Sequence, residues 1–277
     1  MLSSLLALLM QVGPNPGAMP ITAVPPELDE LRRRQRSEQS DIPLQSGKLE
    51  SCIARAERDS TAARTEAEAW LAGAVGITKS QALQCRGYAE ANLYRWADAA
   101  SSFLAARDED ASKSDPKYRA RLSAMAANAL ISAGNMRRAL ELLDMADSDA
   151  QAAGFDALRG EIAIDRARVH VALGESEQAD AALASARNVL PNSAQAWLLS
   201  ATLARRMDDL PRAQSFIERA SSLDLVNPEI GLEAGVIAVL AGKDDAARKS
   251  WQSIINLAPD SPQAQTAREY LRQLEPS

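Results

Sequence analysis

The sequence predicts an all-α protein built as a linear array of helix hairpins, and three observations support this. Ala and Leu supply 54 and 33 of the 277 residues, whereas aromatic residues make up only 4 %. That composition favours helices over strands. No proline interrupts residues 44–115 or 117–190, so long helices can form there. Similar segments also recur at a nearly constant spacing along the chain, which is typical of repeat architectures.

The first 46 residues differ from the rest of the chain. Residues 2–10 form an apolar run that is too short to span a bilayer but has the length of a signal-peptide core, followed by small residues such as Ala18 and Ala23. No Lys or Arg precedes the run. We expect residues 1–23 to be a signal peptide and the protein to be exported to the periplasm; a cytoplasmic protein with a frayed N-terminus is the alternative. Residues 24–46 are rich in proline and charge and predict a linker.

The repeating pattern lies between residues 80 and 259. In each segment a turn residue is followed five positions later by alanine, then four positions later by a larger apolar residue, so both lie on one face of a helix. The alanines have a spacing of 40, 40, 34 and 34 along the chain and are Ala99, Ala139, Ala179, Ala213 and Ala247. The preceding helix carries a small residue at one site, where close helix contact requires it: Gly87, Ala127, Ala167, Ala201 and Gly235. We therefore expect five hairpins, each with a helix A and a helix B.

The turns and the two ends of the array also have sequence signals. Gly134, Gly174 and Gly242 stand where a left-handed residue ends helix A. Residues 47–79 predict a degenerate first hairpin. Residues 260–277 predict a polar C-terminal capping helix, with Asp260 or Ser261 as N-cap and Pro262 in its first turn.

This skeleton resembles the tetratricopeptide-repeat (TPR) family. The match is best in residues 194–227, which have the family's Trp at Trp197 and small residues at Ala201, Ala213 and Ala220. The other units are 80–116, 120–154, 160–191 and 228–259. The family's aromatic in the middle of helix A is absent; the residues there are Glu90, Leu130, His170, Ala204 and Ala238. The resemblance implies an α-solenoid with a concave groove lined by the A helices; another array of αα-hairpins would have the same gross architecture.

The resemblance also implies which residues line that groove. The residue after each small residue faces the groove in the family, and here these are Tyr88, Asn128, Arg168, Thr202 and Val236. One turn further on come Asn92, Arg205 and Arg206. Asn and Arg suit a peptide backbone or a carboxylate, and the C-terminal end is apolar. We expect one or more protein partners that present a segment with acidic and apolar parts.

Cys52 and Cys85 are separated by nearly one repeat. Both are expected in helix A of adjacent hairpins, and neighbouring A helices pack together in this type of array. A disulfide is therefore expected if the protein is exported, and two buried thiols are expected if it is not.

The net charge, the residue counts and the absence of known motifs limit the possible functions. A net charge of −6 and a pI near 5.1 oppose a nucleic-acid role. With one histidine, two cysteines and no nucleotide or nucleophile motif, we expect no catalytic residue, no cofactor and no metal site. The sequence predicts a non-enzymatic scaffold in a bacterial envelope assembly. The alternatives are a cytoplasmic regulatory module or co-chaperone and, more remotely, a glycan-acting enzyme that would need paired carboxylates such as Asp208 and Asp209.

Overall fold

The computed structural model describes residues 47–109 and 112–275, and these residues form thirteen α-helices and no strand. The predicted signal peptide 1–23 and linker 24–46 lie outside the described residues. The helices are α1 (Gly47–Arg58), α2 (Ser60–Leu71), α3 (Gly76–Asn92), α4 (Trp96–Asp108), α5 (Pro116–Ser132), α6 (Met136–Ala152), α7 (Asp156–Ala172), α8 (Ser176–Val189), α9 (Ala194–Arg206), α10 (Leu210–Leu223), α11 (Pro228–Leu240), α12 (Asp244–Leu257) and α13 (Pro262–Gln273).

The helices pair as hairpins in the order predicted from the repeat. The five hairpins from α3–α4 to α11–α12 follow a shorter hairpin, α1–α2, and α13 follows them. The predicted all-α array of tandem hairpins is therefore confirmed.

The described chain forms two compact units, with α1–α8 in the first unit and α9–α13 in the second. In the first unit, alanines of successive helices pack around larger side chains such as Leu122, Leu142 and Leu143. In the second unit, Ile217 and Ile237 belong to one apolar cluster and Trp251 and Tyr270 to another. Small side chains let the helix backbones approach closely in both units, which explains how a chain with few large apolar residues forms a core.

The turn inside each of the five hairpins from α3–α4 to α11–α12 has a residue in the left-handed region, as the glycines predicted. Gly134, Gly174 and Gly242 have φ of +78°, +77° and +71°. The same position holds Tyr94 and Asp208 in the other two hairpins, with φ of +59° and +60°. The five positions keep the 40, 40, 34, 34 spacing, so the hairpin geometry imposes this conformation even on residues for which it is sterically unfavourable.

Contacts at two of the small helix-A residues show why small side chains are needed there. A Cβ atom at Gly87 would lie 2.6 Å from the Phe103 ring, and one at Gly235 would overlap the indole of Trp251. At the C-terminal end, Ser261 rather than Asp260 caps α13, because its Oγ accepts from Ala264 N at 3.0 Å.

Cys52 of α1 and Cys85 of α3 are fully buried, and their sulfur atoms are in bonding contact. Their Cα atoms are 6.0 Å apart, within the range of disulfides. A bond here would fasten the first hairpin to the first repeat. Because the pairing depends on an oxidising compartment, counting free thiols in the unreduced, denatured protein remains its test.

Candidate functional site

A polar surface runs along the A helices of the first unit. We name it the α3–α5–α7 face, and its residues are Gln84, Tyr88, Tyr118, Arg121, Asn128, Glu161, Asp165 and Arg168. Of these, Gln84 and Tyr118 are buried beneath the surface. Hydrogen bonds and charge interactions link its members from one helix to the next. The face therefore joins three consecutive repeats.

The α3 end of this face is held by two tyrosines. Tyr118 donates from its hydroxyl to Gln84 Oε1 at 3.0 Å, and Tyr88 packs edge-on against Phe103 with ring centroids 5.6 Å apart. Burial raises the pKa of both tyrosines above the usual value of 10.0. Both hydroxyls therefore stay protonated at neutral pH, so they can donate hydrogen bonds.

The centre of the face is Arg121 on α5. Its guanidinium lies 4.9 Å from the centroid of the Phe155 ring, a cation–π distance. Its Nε is buried and, within the described part of the chain, has no hydrogen-bond partner. Burial lowers the pKa of Arg121, and the nearby Glu161 carboxylate opposes that shift. The buried Nε is out of reach of a ligand, so an acceptor would meet the accessible part of this half-buried guanidinium.

Two carboxyl groups lie one turn apart on α7, and the first of them, Glu161, interacts with that cation. Loss of water around the carboxyl raises the pKa of Glu161, and the charge of Asp165 raises it further. Burial also raises the pKa of Asp165, although Arg168 and Asn128 hydrogen-bond to this carboxylate and lower it. Arg168 Nη1 donates to Asp165 Oδ1 at 2.7 Å. The face thus combines donors and acceptors that have lost part of their water, a pattern that clusters at functional sites.

The four predicted groove residues of the first unit have different environments in the structure. Asn128 and Arg168 are exposed on the α3–α5–α7 face, and Tyr88 is half-buried there. Asn92 is exposed, but its Nδ2 donates to Ala56 O at 2.9 Å, so it ties α3 to α1.

In the second unit the prediction is wrong for three of four residues. Thr202, Arg205 and Val236 are buried, with 5, 4 and 0 % of their surface exposed. Only Arg206 is exposed.

The reason for this burial is the way successive A helices pack in the second unit. Arg205 of α9 donates from Nε to Glu233 Oε1 of α11 at 2.6 Å and from Nη2 to Oε2 at 3.2 Å. Val236 belongs to the apolar cluster that contains Tyr270 of α13. We name the surface defined by Thr202, Arg205, Glu233, Val236 and Tyr270 the closed face.

Sequence reasoning missed Arg121, Glu161 and Asp165, although a signal for two of them was available. Arg121 and Glu161 lie seven residues before Asn128 and Arg168. Two helical turns return a residue to nearly the same face, so these positions share the groove side of their helices.

Other features of the described residues bear on the remaining predictions. Asp209 caps α10 by accepting from Arg212 N at 3.2 Å, and Asp208 occupies the left-handed turn position, so both have structural roles. No group of three His, Cys, Asp or Glu side chains in residues 47–109 and 112–275 could hold a metal ion. Among the helices of those same residues, none combines the length and hydropathy needed to span a bilayer.

Comparisons with known proteins agree with the fold. No protein-family model and no curated protein sequence matches the chain. Among solved structures, the apo quorum sensor NprR from B. thuringiensis superposes with a TM-score of 0.66 and 12 % identity, covering 91 % of this chain and 77 % of NprR. PilF from Pseudomonas aeruginosa gives a TM-score of 0.61 and 15 % identity, over 80 % of this chain and 95 % of PilF.

The description of a third solved structure includes the name of the fold. YrrB, described as a TPR protein with an unusual peptide-binding site, gives a TM-score of 0.50 and 16 % identity, over 68 % of this chain and 91 % of YrrB. At these identities the likeness concerns the fold alone. The chain has the fold of TPR proteins, as the spacing of its alanines and glycines predicted.

Proposed function

We propose that this chain is a non-enzymatic scaffold that binds a peptide segment of a partner protein on the α3–α5–α7 face. The observation that carries the proposal is the half-buried, incompletely hydrogen-bonded guanidinium of Arg121 beside the Glu161 carboxyl, which has a raised pKa, as has Asp165 one turn further along α7. Contact with a complementary group of a ligand would stabilise each of these partly desolvated groups.

The arrangement fits a polypeptide better than a single ion. Donors such as Arg121 and Asn128 alternate with acceptors such as Glu161 across three helices, and a peptide backbone offers acceptors and donors at similar intervals. Arg168, with 46 % of its side chain exposed, stands at the end of the row and can meet an acidic side chain. The neighbour YrrB is described as having a peptide-binding site, which supports this use of the fold.

A displayed library of random twelve-residue peptides, panned against the intact protein, tests this function. Enriched peptides should bind the unmodified chain and lose at least about tenfold in affinity, or about 1.4 kcal/mol, with Arg121→Gln combined with Arg168→Gln. Arg138→Gln is the matched control, because Arg138 is an exposed arginine of the same unit that pairs with Glu141 on its own helix. Equal affinities for the double variant and the control would reject the site.

We further propose that the scaffold works in the envelope of a bacterium after export. The apolar run in residues 2–10, the cysteine pair, and the pilus biogenesis factor PilW among the structural neighbours support this placement. Mass spectrometry of the mature N-terminus tests it: cleavage after Ala18 or Ala23 is expected. An intact N-terminus with two free thiols would favour the cytoplasmic module or co-chaperone instead.

A further inference from the structure

A cleft of about 460 Å³ opens between α6, α7 and α8, apart from the α3–α5–α7 face. Part of its lining is apolar and small, including Ile162, Ala163, Ala182 and Val189, and the rest is polar and includes Asp147, His170, Gln178 and Ser185. Arg159 and Arg166 of α7 also line the cleft. This volume lies within the range of ligand pockets, which is about 300–1,000 Å³.

The cleft arises from one pair of repeat positions. Ala163 of α7 and Ala182 of α8 correspond to Trp197 of α9 and Phe216 of α10, because each lies one tightly spaced repeat before its counterpart. In the α9–α10 hairpin those two rings pack together with centroids 5.8 Å apart. The α7–α8 hairpin therefore lacks two aromatic rings at a place where the same type of hairpin accommodates them.

A second hairpin shows the same relation. The next counterparts, Gly231 of α11 and Ser250 of α12, are also small, and a cleft of about 290 Å³ is found there. Clefts thus occur at two hairpins in which this pair is small. The α7–α8 cleft is the larger, and two guanidinium groups line it.

The charges along the first cleft favour a ring accompanied by a carboxylate. Arg166 Nη2 pairs with Asp144 at 3.1 Å, but Arg166 Nε is buried and has no hydrogen-bond partner in the described structure. Arg159 pairs with Asp147 at 3.2 Å, which also lines the cleft, and with Asp156 at 3.4 Å, so a second guanidinium is fixed there and a ligand carboxylate would share it with these aspartates. Guanidinium groups stack on aromatic faces and bind carboxylates through their N–H groups.

The length of the cleft favours a polypeptide over a free ring. Its lining extends from Arg159 to His170 along α7 and from Gln178 to Val189 along α8. Eleven residues of helix rise about 17 Å, which is the length of about five residues of extended chain. From these observations we propose that the α6–α7–α8 cleft binds a partner segment that inserts an aromatic side chain and places a carboxylate beside it.

Nine-residue peptides of Gly and Ser with a central 5-fluorotryptophan and Asp on either side are the probe, with central Ala as the control peptide. Fluorine NMR measures the affinity of the tryptophan peptide, and titrations followed by the methyl signals of Ile162 and Val189 measure the affinities of both peptides. The tryptophan peptide should bind saturably and shift both methyl signals, and the alanine peptide should bind at least about tenfold more weakly.

Ala182→Phe supplies the ring that Phe216 supplies in the next hairpin, and it should lower the affinity at least tenfold. Ser250→Phe, at the same repeat position of the other cleft, should leave the affinity unchanged. Arg166→Gln, which does not fill the cleft, should lower it at least threefold and keeps the test valid if Ala182→Phe misfolds.

Four results would overturn the proposal. These are no saturable binding, unshifted Ile162 and Val189 signals, equal affinities for unmodified protein and a folded Ala182→Phe variant, and equal binding of N-acetyltryptophanamide and the peptide. Arg121→Gln should not change this binding, so the outcome is separate from that of the peptide face.

Discussion

The A helices present two different surfaces in the two units. On the α3–α5–α7 face of the first unit, Asn128 and Arg168 are exposed and Arg121 keeps an unused donor. On the closed face of the second unit, Arg205 is buried and engaged by the two carboxylate oxygens of Glu233. The same side of the A helices is therefore partly exposed in one unit and buried in the other.

The difference between the two surfaces follows from the partners of their arginines, Arg121 and Arg205. Arg121 interacts with the Glu161 carboxyl, which has lost part of its water, whereas the guanidinium of Arg205 donates to both carboxylate oxygens of Glu233. A buried pair that is satisfied contributes to specificity of packing, and removing one member leaves a buried charge. An incompletely paired charge at a surface is available to a ligand. Residue type alone does not distinguish these cases.

The largest expected effect of a substitution is a loss of stability on the closed face. Arg205→Ala should lower the free energy of unfolding by about 3–5 kcal/mol, because it leaves the Glu233 carboxylate buried without its cation. Urea denaturation followed by circular dichroism measures this. Arg206→Ala, at the exposed neighbouring position, should change stability by less than about 0.5 kcal/mol. Similar losses for both variants would contradict the assignment of Arg205 to the interior.

A smaller effect on stability is expected on the α3–α5–α7 face, and it depends on pH. Because the pKa of Glu161 is raised on folding, the folded state binds its proton more tightly than the unfolded state does. The contribution of Glu161 to stability is therefore lost as pH rises from its ordinary pKa of 4.5 through the raised value.

Glu161→Gln should remove this loss, so the variant gains stability over the parent at pH 7 but not at pH 4. Because solvent screens this partly exposed side chain, the gain should stay under about 1 kcal/mol. Denaturation at several pH values gives the difference. Glu141→Gln is a control, since Glu141 is an exposed partner of Arg138 on another helix. A gain that is the same at pH 4 and pH 7 would argue against the raised pKa.

The smallest expected effect concerns Tyr270 on the closed face. Its hydroxyl is buried without a hydrogen-bond partner among the described residues. Tyr270→Phe should therefore keep or slightly increase the free energy of unfolding, by up to about 1 kcal/mol, because it removes an unsatisfied polar group. A loss of more than about 1 kcal/mol in thermal or urea unfolding would show that the hydroxyl has a partner that stabilises the fold.

The sequence predicted the hairpin array well because its signals are local. Ala99 and its counterparts, the left-handed glycines, and Pro262 after an N-cap each depend on contacts within one hairpin or its neighbour. Even Tyr94 and Asp208 follow the predicted spacing of the turns, although neither residue type indicates a left-handed conformation as glycine does.

The groove was predicted only in part because burial there depends on distant partners. Arg205 and Glu233 are 28 residues apart, and nothing inside either repeat shows that they pair. Val236 belongs to a buried apolar cluster that includes Tyr270 of α13, a helix that lies beyond the last repeat. Arg121 and Glu161 share a helix face with predicted residues, but their raised or lowered pKa values depend on packing that the sequence does not display.

Hydrogen exchange with and without a library-selected peptide tests the central claim, that the first unit's polar face is the binding surface, most directly. At a saturating peptide concentration, amides of α3, α5 and α7 should exchange more slowly, and those of α9, α11 and α13 should be unchanged. Protection confined to α9, α11 and α13 would contradict the account, because it would place the peptide on the face that Arg205 and Glu233 close.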